Sequence, residues 1–357
     1  MNFPEQRHVI AETTIRRERL LPDNAIGTVT VKANERVDVG TVVARGTVPT
    51  RYIILDAQKY FRLKNPDELE DLLFVEQNDV VDIRQPIAGK SATKGRRLVS
   101  PVTGIVAQID QGRIILQETP EVNELEAGLN GQVLEELAGR GVIIEASGTL
   151  VQGVWGNGRR MIGLLRMEPR GGLASLVSDE LEMRFRGTMI VTRDPLTSIA
   201  LDVMATQAFA GVIAPSMSPA LRQQAIESRG TIMLTEGFGD MRMNIAVYNL
   251  LRDNDGEQAT LDAVLPDRME TDRPELIINR SYTHDRPPRP QLHRGLEPEM
   301  EVRLTRHPYA GQLGHVVDLP KTPCMLDNGL RVPCARVELI SGETVLVPFA
   351  NLEVFGQ

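Results

Sequence analysis

The sequence predicts a multi-domain protein, mainly β with an α/β middle. Three observations predict it. The phrase VKANERVDVGTVVARG at 31–46 returns 44 positions later as VEQNDVVDIRQPIAGK at 75–90. From about residue 187 short apolar runs alternate with segments of helical spacing, the grammar of βαβ units. From 301 onward short alternating strands are cut by Gly-containing turns. The expected division is 1–120 with the internal repeat, 121–186 as additional β structure, 187–265 as the α/β domain, 266–296 as a linker and 297–357 as a small barrel.

Composition sets the outer bounds. The chain has 357 residues, 41% of them hydrophobic, enough for two or three ordinary cores. Its 40 basic and 48 acidic residues give a formal net charge of -8, which argues against a general binder of nucleic acid or anionic membrane and leaves only local basic patches for such a role. No run approaches the ~18 apolar residues of a membrane span, and the opening MNFPEQRHVIAETTIRRERL lacks the basic-then-apolar order of a signal peptide, so a cytoplasmic protein is expected. Cys324 and Cys334 are too few for a disulfide framework and have no metal-binding spacing. They flank Asp327, Asn328 and Gly329, a turn signal. They read as free thiols used as small hydrophobes, a cross-strand contact being the alternative.

The repeat aligns Val31 with Val75, Asn34 with Asn78, Val37 with Val81, Asp38 with Asp82, Val39 with Ile83, Val43 with Ile87 and Ala44 with Ala88. In each copy a turn precedes an apolar residue, a polar break and an apolar pair, so both are β units. Between them NPDELEDLLFV offers Asn65 as an N-cap and Pro66 in the first turn, hence a short helix that would bridge two half-barrels. A third variation follows in GLNGQVLEELAGRGVIIEASGTLVQGVWGNG. AGKS at 88–91 is no phosphate loop, because the motif's first glycine would fall at Arg84 and no helix follows.

The order V-x-x-N-D-x-V-x-x-x-x-x-I-A, then a lysine-bearing hairpin, then S-P-V-T-G-I-V, resembles the biotinyl/lipoyl-type barrel-sandwich hybrid fold over residues 27–117. The resemblance implies a modified lysine at the hairpin tip, and Lys94 falls there. Its setting, SATKGRR, departs from the Met-Lys-Met or Asp-Lys-Ala surroundings of attachment sites. The reading is therefore a structural barrel with a solvated hairpin and no cofactor.

In the α/β region Ile199 and Val203, Leu221 and Ala225, and Ile245, Tyr248 and Leu250 mark helix faces. Ser218 before Pro219 is a helix start and Arg229-Gly230 a stop. Ligands of such sheets bind at the carboxyl ends of the strands. The loops there hold Arg193 and Asp194, then Ser216 and Ser218, then Glu236, Gly237 and Gly239. Gly237 and Gly239 would let bare backbone approach an anion, Arg193 would supply charge and Glu236 a base or acceptor. The plainer reading is a tight βα turn with charged residues capping helices. There is no GxSxG, and none of His8, His284, His293, His307 and His315 lies in this region.

Residues 279–296 hold Pro287, Pro288 and Pro290 with Arg280, Arg286, Arg289 and Arg294 against Asp285. This reads as an extended connector, solvated or with its arginines meeting phosphate or an acidic partner, with Tyr282 as its one aromatic. His284 and His293 have no third partner for a metal, and no metal is expected. The last segment, with Gly311, Gly314, Val316 and Val317 and the closing Val347, Pro348, Asn351 and Leu352, resembles a KOW module of the SH3-like barrel class over residues 300–356. KOW modules occur in transcription elongation factors and ribosomal proteins, where they dock onto RNA or protein. Five basic against eight acidic residues from Glu297 onward favour a protein partner over nucleic acid. His307, Tyr309 and Phe349 are the candidate contact residues, or fill the barrel's ends.

The sequence thus predicts a non-enzymatic adaptor docking through its C-terminal barrel. The alternative is a ligand-responsive or enzymatic protein binding a nucleotide or other anion at the α/β strand ends.

Overall fold

The structure is a computed structural model describing residues 5–48, 50–120, 122–177, 182–266, 272–280, 286–290, 295–326 and 328–355. Tyr282, His284, Asp285, His293, Arg294 and Asp327 lie outside the described residues. The chain is mainly β, in several sheets, and among the described residues none of these closes on itself. The small barrels expected at the two ends are, among the described residues, open sheets around a core. The strands are short, and each β module sets separate small sheets around one core in place of a continuous ladder.

The repeated phrase is a repeat of structure. Asn34 and Asn78 both take positive φ, 69° and 76°, a conformation asparagine tolerates better than most residues. The Asn34 amide donates to Val133 O and the Asn78 amide to Val106 O, each at 2.8 Å. Val37 faces Gly131 and Val81 faces Gly104 across their ladders. The strand segment of copy one (Val42–Thr47) pairs with Val122–Glu126, and that of copy two (Pro86–Gly89) with Arg97–Val99.

The two copies are therefore not halves of one barrel. Copy one completes its core with Ala127, Leu129, Val133, Val142 and Ile144, which lie beyond copy two in sequence. Copy two has a core of its own, including Leu69, Val75, Val81, Ile87, Val106, Ile114 and Leu116. Residues 50–120 form a second module inserted where the first module's hairpin would turn, between the paired residues Thr47 and Val122. Asn65 and Pro66 do begin a short helix, the 3-10 turn Pro66–Leu72, with Glu68 Oε1 accepting from the Asn65 amide. It packs Leu69 inside the inserted module and bridges nothing.

An eleven-stranded sheet forms the centre. Four of its strands run parallel: Arg159–Met167, Met189–Val191, Gly211–Met217 and Thr231–Phe238. The middle two are buried throughout, as strands covered on both faces must be. The helix Ser198–Thr206, capped by Thr197, packs on one face with Phe185 and Phe209. The helix Ile245–Arg252, capped by Asn244, packs Val247 and Leu251 on the other. The same sheet continues antiparallel through Gln258–Ala263, Glu275–Asn279, Gly141–Gln152 and Gly131–Leu137, and Val9–Leu20 pairs along Gly141–Gln152. Strands from either side of positions 121 and 187 join in this one sheet.

The C-terminal module is a six-stranded sheet with its own core, in the order Glu5–Arg7, Leu352–Phe355, Glu301–Leu304, Leu313–Asp318, Cys334–Leu339 and Thr344–Pro348. Its edge is the first described strand of the chain, running parallel to the last. The small ladder Cys324–Met325 with Arg331–Val332 sets Cys324 opposite Val332, and both cysteines are free. Burial, then the nearby Cys324, raises the Cys334 thiol pKa.

The connector is tied to the body along its described part, although Arg286, Pro288 and Arg289 stay exposed. Thr13 and Thr14 hydroxyls donate to Pro288 O and Pro287 O at 2.8 and 2.6 Å. Arg286 and Arg289 meet the buried carboxylate of Glu145, which also binds Arg16. The acidic partner of those arginines lies in this same chain.

Candidate functional site

The carboxyl ends of the parallel strands gather the loops that the βαβ pattern singles out. Arg193 and Asp194 follow Met189–Val191, Ser216 and Ser218 lie at the end of Gly211–Met217, and Glu236, Gly237 and Gly239 at the end of Thr231–Phe238. Their polar groups are engaged by neighbouring residues of the fold and not by one another. Ser216 Oγ accepts from the Met241 amide at 3.0 Å and donates to Met241 O at 2.8 Å, pinning the third loop back onto the second. The Gly239 amide donates to Met217 O at 2.9 Å. Gly237 and Gly239 have φ of 104° and 140°, so a side chain at either would strain this return.

Arg193 donates its amide to Glu168 Oε1 at 2.8 Å, accepts from the Met243 amide, and lays its guanidinium over the Tyr248 ring at 5.6 Å. Burial raises the Glu168 carboxyl pKa, against the pull of that hydrogen bond. Asp194 pairs with Arg242 at 2.9 Å on the surface. Ser218 caps the following turn, accepting from the Ala220 amide.

Glu236, read from sequence as a base or acceptor, is held most firmly. Its side chain is 3% exposed. One oxygen binds Arg303 and the other faces Arg7, 3.9 Å away, and the Asn244 amide. Arg303 also reaches Glu353 at 2.9 Å, and Arg7 and Arg273 approach Glu353 at 3.6 Å each. Arg7 Nη1 donates to Thr235 O. Burial, the largest effect, lowers the Arg7 pKa despite both carboxylates. This buried clamp ties Glu5–Arg7, Thr231–Phe238, Glu301–Leu304 and Leu352–Phe355 together. Arg7, Arg273, Arg303 and Glu353 were not foreseen as partners. The only signal for Arg303 is its alternation between Val302 and Leu304, which sends it out of its own module's core and onto the neighbouring one.

The remaining candidates are dispersed. Tyr309 and Phe349 pack half-buried on the C-terminal core, while His307 is exposed. Tyr309 donates to Glu343 Oε1 at 3.1 Å, and that bond, then burial, raises the phenol's pKa. Lys94 is exposed in the turn between Pro86–Gly89 and Arg97–Val99, its amide donating to Ser91 Oγ at 3.3 Å. A cleft of about 440 Å³ elsewhere is lined by arginines, but these already hold carboxylates: Arg17 on Glu275 and Arg160 on Asp262. No group of three or more potential metal-binding side chains occurs among the described residues, and no helix there is long and apolar enough to cross a membrane.

No protein-family model matches the chain, and no curated protein matches it significantly.

Proposed function

We propose that this chain is a non-enzymatic adaptor that docks on a larger protein assembly through its C-terminal module, in transcription or translation. In this reading the C-terminal module is a KOW-type SH3-like barrel and the two nested modules are of the barrel-sandwich hybrid type without a cofactor. One observation carries it: at the strand ends, where a ligand would bind, Glu236 is buried in a clamp of arginines and Ser216 closes a loop. A base must be within reach of substrate, and the Glu236 carboxylate, 3% exposed, is out of reach. The same clamp fixes the C-terminal module as a rigid platform. Its exposed apolar residues include Val317, Leu330, Ile340 and Leu346, the kind of surface a protein partner covers.

Immobilised wild-type chain and a His307→Ala/Tyr309→Ala variant, matched in melting temperature, test it in native lysate. The expected result is a reproducible set of captured proteins lost from the variant. An unchanged set sinks the docking role of these residues. Saturable thermal stabilisation by a nucleotide or phosphorylated metabolite, abolished in Arg193→Ala, would favour the ligand-binding alternative.

A further inference from the structure

The longest stretch of this acid-rich chain without acid lies in the inserted module. From Ile83 to Ile109 there is no Asp or Glu, while Arg84, Lys90, Lys94, Arg96 and Arg97 all fall within it. Four of these five cations sit in the turn K-S-A-T-K-G-R-R of the inserted module. Among the described residues none of the four forms a salt bridge, whereas arginines of the clamp and of the connector are held by carboxylates. Exposed cations without a carboxylate partner, in a chain of net charge -8, make a local positive field.

The turn has a defined shape. Arg97 Nη1 donates to Ala92 O and Thr93 O, both at 3.1 Å, and Ser91 Oγ accepts from the Thr93 and Lys94 amides. Tyr60 Oη donates to Arg97 O at 2.8 Å, and the Arg96 guanidinium lies over the Tyr60 ring at 4.8 Å. Lys90 and Lys94 are exposed on this ordered frame, as is Arg96 on its tyrosine ring, and among the described residues no carboxylate pairs with any of the three.

Topology gives this turn its position. The inserted module enters at Tyr52, opposite Gln117, and its first strand leads away to Asp56, opposite Arg113. Helix Ala57–Phe61, which carries Tyr60, follows that far end. The basic turn bound to Tyr60 therefore caps the end of the module remote from its attachment, one strand length from the acidic body. The turn also combines lysines, arginine, two hydroxyl residues and a glycine, the set that contacts phosphate oxygens.

We propose that the distal turn of the inserted module, Lys90 to Arg97, binds the sugar–phosphate backbone of a nucleic acid without regard to sequence. The adaptor reading neither requires nor excludes it. Counterion release by the three free cations predicts that log K falls with log salt at a slope of about -2 to -3.

Fluorescence anisotropy of the full chain with a labelled 20-nucleotide single strand and a 20-base-pair duplex, from 50 to 200 mM salt, tests this. The expected result is binding to at least one of the two, weakened tenfold or more and with a shallower salt slope in Lys94→Glu/Arg96→Glu. Arg222→Glu/Arg229→Glu, the same charge change on the α/β region, should lose no more than threefold. The proposal is overturned by absence of binding at 50 mM salt, by equal losses in the two variants, or by tighter binding to polyglutamate than to either oligonucleotide. Both double variants alter exposed side chains, and a melting temperature within a few degrees of wild type certifies each one.

Discussion

Glu145 shows how one carboxylate organises a segment. Burial pushes its pKa up, but the hydrogen bond and charge of Arg16, with Arg289 and Arg286, outweigh this and hold it below the usual carboxylate range. A depressed folded pKa means stability present above the unfolded value of about 4.3 and lost as pH falls through the folded one. Glu145→Gln should therefore lower stability at pH 7 by about 1–2 kcal/mol, and melts at falling pH should show the difference from wild type shrinking below pH 4. The clamp sets a larger stake. Arg303→Met leaves Glu236 and Glu353 buried with less compensation, at a cost of about 3–5 kcal/mol in urea unfolding. Adding Glu236→Leu should recover part of that loss, because the pair's desolvation is removed with it. A strictly additive double variant would show that the two side chains are not coupled.

The inserted module is a separable element. Thr47 and Val122 are direct cross-strand partners, so an Asn-Gly turn replacing residues 48–121 closes the first module's hairpin without moving either strand. The shortened chain should melt cooperatively within several degrees of wild type, and residues 50–120 expressed alone should show their own transition, since their core draws on no residue outside them. Aggregation of both pieces would refute the nesting. The repeat itself was legible because each copy needs the same turn: asparagine at positive φ, then a buried valine facing a glycine. The nesting was not, since a distant partner closes each copy. Gly131-Gln132-Val133 and Gly104-Ile105-Val106 do carry a shared Gly-x-Val signature, but register between remote strands is set by backbone bonds that side chains only weakly report. The helix caps at Thr197, Ser218 and Asn244 are local chemistry; of these only Ser218 was read, through the proline that follows it.

At the level of the whole molecule the C-terminal module is built into the body. Glu236 could be located from sequence at a glycine-rich strand end, yet its role could not, because Arg303 is 67 residues away and Arg7 lies near the start of the chain. A carboxylate in a turn looks the same whether it faces substrate or a buried guanidinium. Removal of residues 297–357 would strip Arg303 and Glu353 from the clamp and Leu313 from the core around Met243 and Val247. Limited proteolysis should then cut the truncated chain between 235 and 243, where the intact chain resists. Equal resistance would mean that the module rests on the body without supporting it. The pairing of Glu5–Arg7 beside Leu352–Phe355 has a mechanical side as well. The two strands run in the same direction, one entering the molecule and one leaving it, so tension applied at the two ends acts lengthwise along their shared ladder. Its rungs must then slip together instead of opening in turn, which makes this small parallel pair a latch against stretching.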